Sequence, residues 1–158
     1  MIYTDFSADE AMFLETLSVG GLATALDFLN TRTSYRFTSV YKAELPSVRR
    51  ILVHDRSALN VPSREMVPVS QTFFDFMLTE PSFATADGLI DERSCQHPGR
   101  MHFRGFCGVR IHAPDGRHYG WLSHFDPQPQ TVPEGEVQFL TKVSGLLIPA
   151  LLAWPKAA

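Results

Sequence analysis

The chain has 158 residues, of which 44% are hydrophobic and 20% are charged, and its formal net charge is −3 at pH 7. This length suits one domain, and the composition is too apolar for a disordered protein. The weakly acidic balance lacks the basic field of a nucleic-acid-binding protein. The two cysteines are too few for a disulfide framework, and the first residues lack the basic cluster of a secretory signal. The most apolar stretch, Gly145–Trp154, is too short to span a bilayer. We therefore expect a cytoplasmic protein with no nucleic-acid partner and no membrane association.

The first part of the chain predicts an interrupted helix. Ser7–Glu10 has the form of a capping box. A leucine stripe from Leu22 to Leu29 then follows one helical face. The intervening Gly20–Gly21 pair weakens the pattern, because glycine costs about 1 kcal/mol in a helix interior. The sequence predicts either one interrupted helix or two consecutive helices, ending near residues 30–31.

Two strands joined by a turn are predicted next. Tyr35–Leu45 is rich in β-branched and aromatic residues, Pro46–Ser47 favours a turn, and Val48–Asp55 is predicted as the returning strand. Side chains alternate between the two faces of a strand. In the first strand, one face would carry Phe37, Ser39 and Tyr41, and the other Thr38 and Val40. Ala58–Pro68, which contains two prolines, is predicted as a loop.

The middle of the chain predicts a short helix, a short strand and a polar segment. Ser70 is a candidate cap for a helix whose apolar residues at helical spacing are Phe73, Phe74, Met77 and Leu78. Pro81 would end this helix, and Phe83–Ala86 is predicted as a strand. Asp87–Gly88 favours a turn, and Asp91–Met101 is polar and irregular, with room for one helical turn.

The last part of the chain predicts a hairpin followed by a helix. Phe103–Ala113 and His118–Phe125 flank the strong turn signal Pro114-Asp-Gly116. Thr131–Glu134 fits a second capping box, so the closing helix is predicted from there to about Trp154, with Pro149 kinking or shortening it. Antiparallel hairpins with segregated helices define an α+β fold. We expect a central antiparallel sheet, with the terminal helices together on one face and the middle helix and residues 87–102 on the other.

The second hairpin also carries a family resemblance. Gly105–Gly116 ends in an Asp-Gly turn, and Tyr119–Pro129 contains a Gly-Trp-Leu motif and an aspartate before a proline-rich exit. A helix with an acidic start follows at Glu134. These features are similar to the latter half of a GAF domain, and the resemblance extends over about Phe13–Leu152. It implies a GAF-like (profilin/PAS-like) sensory domain over residues 7–154, with residues 1–6 and 155–158 as tails.

The resemblance implies a function of binding rather than catalysis. GAF domains bind cyclic nucleotides, bilins, haem, amino-acid-like molecules or other small effectors in a pocket on one face of the sheet. They often dimerise through their terminal helices, so we expect a homodimer of this kind. The ligand and any cofactor stay unidentified. The sequence also lacks a nucleophile–base pair, a phosphate-cradling loop and a metal motif, which favours a non-catalytic module in signal transduction.

The expected pocket is an aromatic-rich face between Phe73 and Phe106. On its polar side, Arg110 would bind a ligand carboxylate or phosphate, unless it lies in solvent, and the Ser123 hydroxyl would face the ligand. The residues predicted to contact the ligand are Phe74, Phe83, Asp91, Cys95, His97, His102, Phe103, Phe106, Arg110 and Ser123. For at least half of the aromatic residues in this region, plain core packing is the expected role.

The cysteines leave three other chemistries open. In bilin-binding relatives a cysteine followed directly by histidine attaches the chromophore, whereas Gln96 separates Cys95 from His97 here. Cys95, His97, His102 and Cys107 form a candidate zinc set, although Cys107 lies within a strand and suits a small core residue. A GAF-type enzyme resembling the free methionine sulfoxide reductases would use Cys95 and Cys107 as a redox pair. A GAF fold with a filled pocket, serving only as a dimerisation module, is a further alternative.

Overall fold

The computed structural model describes residues 7–58 and 64–154. Within these ranges the helices are α1 (Ser7–Thr31), α2 (Glu136–Ser144) and α3 (Ile148–Leu152). The strands are β1 (Phe37–Glu44), β2 (Ser47–Asp55), β3 (Met66–Pro68), β4 (Ser82–Thr85), β5 (Gly105–His112) and β6 (His118–Asp126). They form one sheet in the order β3-β2-β1-β6-β5-β4, with every neighbouring pair antiparallel. The predicted α+β class is confirmed. The predicted tails, residues 1–6 and 155–158, lie outside the described residues.

Helix α1 contains the predicted interruption. Gly21 has φ 78° and ψ −168°, a positive-φ conformation that glycine adopts without steric cost. Beyond it, Leu22, Leu26 and Leu29 are buried in the core, as is Phe13 before it. By length and composition alone, α1 is also a helix that could cross a membrane. A core helix passes the same test, and these buried side chains pack α1 against the sheet.

The two faces of the sheet carry separate apolar layers, as the alternation predicts. On the first face, which we call the helix face, Val40, Val109, Ile111 and Leu122 pack with residues of α1, α2 and α3. On the opposite face, Tyr41, Phe106, Trp121 and Phe125 pack with the aromatic residues of the 73–103 region. We call this the aromatic face. The terminal helices therefore lie on one face of the sheet, and the middle segments lie on the other.

Two predictions for the middle of the chain are corrected. The predicted loop Ala58–Pro68 ends in the edge strand β3, which pairs with β2 through Ser47 and Arg49. Three residues are too few to give a readable strand pattern, and Pro68 is tolerated because β3 is an edge strand. Residues 59–63 of that loop lie outside the described residues.

The predicted α-helix after Ser70 is two 3-10 helices, Val69–Gln71 and Phe73–Met77, and no side chain caps either of them. Thr72 between them is extended, with φ −126° and ψ 160°. A segment this short gains few hydrogen bonds for the cost of starting an α-helix, so burial of the phenylalanine rings determines its shape.

The closing helix is also corrected at its start. It begins at Glu136 rather than at the Thr131 capping box, and Gly135 in the left-handed conformation (φ 80°) occupies the N-cap without a side-chain bond. This later start buries Glu136, which then contacts the sheet. As predicted, the helix is interrupted near Pro149: a 3-10 turn, Gly145–Leu147, precedes α3. Proline is tolerated in the first turn of α3 because no backbone N–H donates an intrahelical hydrogen bond there.

A buried polar network joins the helices to the sheet. The His124 Nε2 atom lies 2.7 Å from one Glu136 carboxylate oxygen, and its Nδ1 atom lies 2.7 Å from the Thr38 hydroxyl. Arg32 donates to the other Glu136 oxygen at 3.0 Å, and the Asn30 amide donates to Thr38 at 2.9 Å. His124 and Thr38 are fully buried. Buried polar groups are costly unless they are paired, so this network holds the ends of α1 and α2 against β1 and β6.

Candidate ligand-binding site

A cavity with a volume of about 1040 Å³ lies on the aromatic face, beside β1, β2 and β3. Small-molecule pockets typically occupy roughly 300–1,000 Å³, so its size suits a small ligand. The described residues that line it are Phe37, Tyr41, Arg50, Ile51, Leu52, Val53, Asp55, Arg64, Val67, Ser70, Gln71, Thr72, Phe74, Pro98, His102, Phe103 and Phe125. Strands form its floor, and the 69–74 and 98–103 segments form its opposite wall.

The pairing of β1 with β2 brings charged groups to the cavity. Phe37 lies opposite Asp55, and Tyr41 lies opposite Arg50, so these four residues share one face of the sheet. A β-bulge between the two pairs leaves Ile51 without a partner. A bulge shifts the alternation of side chains by one residue. Arg50 consequently faces the cavity although it lies an odd number of residues from Asp55.

Aromatic rings line the cavity. The Phe37 and Phe125 rings are stacked with centroids 4.9 Å apart, and Phe103 meets Phe125 edge-on at 5.0 Å. The ring centroids of Tyr41 and Phe74 lie 5.1 Å apart. Such offset and edge-on pairs are the favoured aromatic geometries, so the rings of the walls support one another by packing. Flat apolar surfaces of this kind suit a ligand with a flat apolar body.

The Asp55 carboxylate is already neutralised. Arg36 donates to its two oxygens at 3.0 and 3.1 Å, and the Ser57 hydroxyl donates to it at 2.6 Å. The hydrogen bonds from Arg36, followed by those from Ser57, hold the pKa of Asp55 well below its usual range. This carboxylate therefore stays ionised and paired, and it contributes little net charge to the cavity.

Of the predicted ligand contacts, Phe74, His102 and Phe103 line the cavity. Phe83 and Phe106 do not line it. They pack beside Phe73 with ring centroids 5.5 and 5.6 Å from it, within the aromatic cluster that supports the cavity wall. The aromatic residues thus cluster as predicted, and several of them serve as core.

Three predicted contacts in the 91–97 segment lie away from the cavity and have local partners. The Nδ1 atom of His97 accepts from the Gly99 amide at 2.9 Å, which places the ring proton on Nε2, 3.0 Å from the Asp75 carboxylate. Arg93 donates to both oxygens of Asp91 and lowers the pKa of that carboxyl group. Cys95 is half-buried, with its sulfur 3.9 Å from a backbone carbonyl. These contacts stabilise the segment itself.

The candidate zinc set is not assembled. Cys107 is fully buried on the helix face, in the same apolar layer as Val40 and Phe139, whereas His102 lines the cavity on the aromatic face. Across residues 7–58 and 64–154, no three His, Cys, Asp or Glu side chains are grouped as metal ligands.

Arg110 and Ser123 are on the aromatic face but not on this cavity. Ser123 is fully buried and shares a 2.9 Å hydrogen bond with the Ser39 hydroxyl. The buried Nε atom of Arg110 has no hydrogen-bond partner among the described residues. Next to it, burial and then the charge of Arg110 lower the pKa of His118 to about 4. Ligand contacts at Arg110 and Ser123 stay predictions.

The part of the site that comes from β2 and β3 was not predicted from the sequence. Arg50, Val53, Asp55 and Val67 all line the cavity, and none of them was selected. Val53 and Asp55 lie two residues apart on β2, so they share one face of that strand. That spacing was a usable signal for these two residues. Arg64 follows no pattern, because it lies in the coil before β3.

Comparisons with known proteins identify the fold. No model of a known protein family matches the sequence, and no curated protein matches it in sequence. Solved structures do match. The GAF domain of an Acinetobacter phosphoenolpyruvate-protein phosphotransferase has a TM-score of 0.72 at 15% identity, over 99% of this chain and 100% of that one.

Two further solved structures bind small molecules according to their descriptions. Free methionine-R-sulfoxide reductase of Neisseria meningitidis, in complex with its substrate, has a TM-score of 0.66 at 14% identity, over 100% of this chain and 99% of that one. The chromophore-binding domain of a bacteriophytochrome from R. palustris has a TM-score of 0.68 at 13% identity, over 97% of this chain and 63% of that one. The chain has the GAF-domain fold.

Proposed function

We propose that residues 7–154 form a non-catalytic sensory domain in signal transduction, which binds a small molecule in the cavity of the aromatic face. The observation that carries this proposal is a partly open, aromatic-lined cavity of about 1040 Å³ on a GAF fold. Binding sites are mostly apolar with a few placed polar groups, and this cavity combines aromatic walls with Arg50 and Gln71. The chromophore-binding and substrate-bound structures that share the fold support the same use.

The positions of the cysteines favour binding over redox chemistry. A redox pair needs two thiols within reach and a thiolate at neutral pH. Burial raises the pKa of the Cys107 thiol to about 12, and Cys107 packs on the helix face. Cys95 belongs to the 91–101 segment, which covers the other face. Cys95 also does not line the cavity, which argues against covalent attachment of a chromophore there.

Strands β1 and β6 offer a route from the cavity to the helices. On β1, Phe37 lines the cavity and the next residue, Thr38, belongs to the buried network. On β6, Phe125 lines the cavity and the preceding residue, His124, holds Glu136 of α2. We propose that a ligand-induced shift of these strands changes the contacts that hold α1 and α2.

The proposed module is a cytoplasmic homodimer formed through its terminal helices. Helix α1 exposes apolar side chains on the side away from the sheet, with Met12, Leu14 and Val19 exposed by 48%, 43% and 84%. A symmetric dimer is the commonest homo-oligomer, and pairing through α1 would cover this surface.

The test is to fill the cavity. Val53 lines it from β2, so Val53→Trp would occupy ligand space, whereas the adjacent His54 is absent from the lining and lies 3.5 Å from Asp27 of α1. We expect native mass spectrometry of wild-type protein purified from its own host to show a bound small molecule. Val53→Trp should lose this mass and the matched control His54→Trp should keep it. An unliganded wild type, or equal occupancy in both variants, would contradict the proposal. The same spectra report the dimer.

A further inference from the structure

Three basic side chains lie together at the turn end of the β5–β6 hairpin. Arg110 lies opposite Trp121, and His112 lies opposite His118. A register shift in this pairing turns His118 to the face of Trp121, whose ring it meets edge-on with centroids 4.7 Å apart. The centroids of the His112 and His118 rings are 5.8 Å apart. We call Arg110, His112 and His118, which share the aromatic face, the hairpin cluster.

The hairpin cluster is separate from the ligand cavity. Trp121 lies between the two, because its ring stacks on Phe74 with centroids 5.0 Å apart and meets His118 on another side. Phe74 lines the cavity, whereas no member of the hairpin cluster does. Since Trp121 is fully buried, it closes the path from one location to the other.

The Arg110 guanidinium lacks an anionic partner. Its Nε atom is buried without a hydrogen bond, and across residues 7–58 and 64–154 its side chain forms no ion pair. The carboxylate of the hairpin turn, Asp115, is already bound by Arg117 at 2.7 Å. A buried donor that meets no acceptor costs free energy. An oxyanion beside Arg110 would remove that cost and also neutralise its charge.

The rest of the hairpin cluster favours the same kind of ligand. Burial, followed by the charge of Arg110, lowers the pKa of His118 to about 4, and His112 adds to this effect. An anion between these groups would offset their mutual repulsion. His118 Nε2 lies 2.8 Å from the Gly120 carbonyl, which only accepts, so Nε2 carries the proton. Nδ1 is then an acceptor, which suits an oxyanion that carries a hydroxyl.

We propose that the hairpin cluster binds a phosphate group, either as inorganic phosphate or as a small phosphomonoester. Arg110 donates to the phosphate oxygens, the exposed ring of His112 adds a contact on the solvent side, and a phosphate hydroxyl donates to Nδ1 of His118. This site goes beyond the proposed function, because the cavity and the hairpin cluster share no residue and either one can bind without the other.

Histidine NMR of the wild-type protein tests the site without any substitution. Inorganic phosphate, added at constant pH and ionic strength, should move the ring C–H signals of His112 and His118. The signals of His54 and of fully buried His124 should stay in place. Methyl phosphate is the second arm, and the tighter of the two phosphates identifies the source. Sulfate is the third arm and should bind more weakly, because it has no hydroxyl to donate.

Arginine variants test which charge holds the phosphate. Arg110→Gln should weaken phosphate binding at least about tenfold, because it removes a charged donor. The matched control Arg117→Gln removes the same charge from the same hairpin, from a side chain that is 87% exposed and pairs with Asp115. It should keep the affinity within about twofold. His112→Gln, at an exposed position, should also weaken binding and replaces Arg110→Gln if that variant does not fold.

Three results would count against the site. Unchanged signals of His112 and His118 with both phosphates would overturn it, and so would equal affinities of Arg110→Gln and Arg117→Gln. Equal binding of sulfate would overturn the assignment to phosphate. The Val53→Trp test of the cavity is independent of these measurements, so failure of this site and failure of the proposed function are distinguishable.

Discussion

Replacement of Glu136 by alanine is expected to lower the free energy of unfolding by about 3–5 kcal/mol, the usual cost of removing one partner of a buried ion pair. Glu136 is 2% exposed and bonds His124 and Arg32 with separate oxygens. Its loss leaves the Nε2 atom of fully buried His124 unpaired and removes a partner of Arg32. The buried His124 ring is then desolvated without a compensating hydrogen bond, and Arg32 keeps only its ion pair with Asp9.

The chain provides matched controls for this prediction. Glu134, two residues earlier, is exposed and has no bond among the described residues, so Glu134→Ala should change the unfolding free energy by less than about 0.5 kcal/mol. Glu136→Gln keeps the shape and one acceptor, and should cost less than the alanine variant. Denaturant unfolding followed by circular dichroism measures all three. Similar values for Glu134→Ala and Glu136→Ala would contradict the role given to the network.

Replacement of Trp121 by alanine is expected to lower the free energy of unfolding by about 3–5 kcal/mol, the range for a large aromatic residue removed from a core. Trp121 is fully buried, stacks on Phe74 with centroids 5.0 Å apart, and donates from Nε1 to the Met77 carbonyl at 3.3 Å. Because Phe74 lines the cavity, the loss should also loosen the cavity wall.

The second tryptophan is the control for this change. Trp154 is partly buried near the end of the described chain, so Trp154→Ala should cost less than half as much as Trp121→Ala. Trp121→Phe keeps a ring against Phe74, so its loss of unfolding free energy should fall between the losses of the two alanine variants. Fluorescence of the single-tryptophan proteins during denaturation reports each site separately. An equal loss from Trp121→Ala and Trp154→Ala would contradict the central packing role of Trp121.

The elements with strong local signals were predictable from the sequence. The Pro114-Asp-Gly116 turn, the alternation in β1 and the leucine stripe of α1 each depend on neighbouring residues in the chain. These patterns predicted the strands, the two faces of the sheet and the position of the terminal helices. The clustering of the phenylalanines on one face followed from placing the middle segments over the face that the terminal helices leave free.

The cavity itself depends on features that a sequence pattern does not carry. A strict period of two places Arg50 on the face opposite Val53 and Asp55, and the bulge at Ile51 reverses this. The pairing of β2 with the three-residue strand β3 is a long-range contact. The start of α2 at Glu136, rather than at the capping box, is similarly determined by His124 and Arg32, which lie elsewhere in the chain. Tertiary contacts therefore decided the charge and position of the site.

Chemical-shift mapping tests most directly where the protein binds a small molecule. Amide spectra of 15N-labelled wild-type protein would be recorded with and without 1-anilinonaphthalene-8-sulfonate. We predict the largest changes at residues 50–53, Asp55, 70–72 and 102–103, which line the cavity, with smaller changes relayed to His124 and Thr38. Changes concentrated at residues 137–143 of α2, on the opposite side of the sheet, or no changes at all, would contradict a ligand site on the aromatic face.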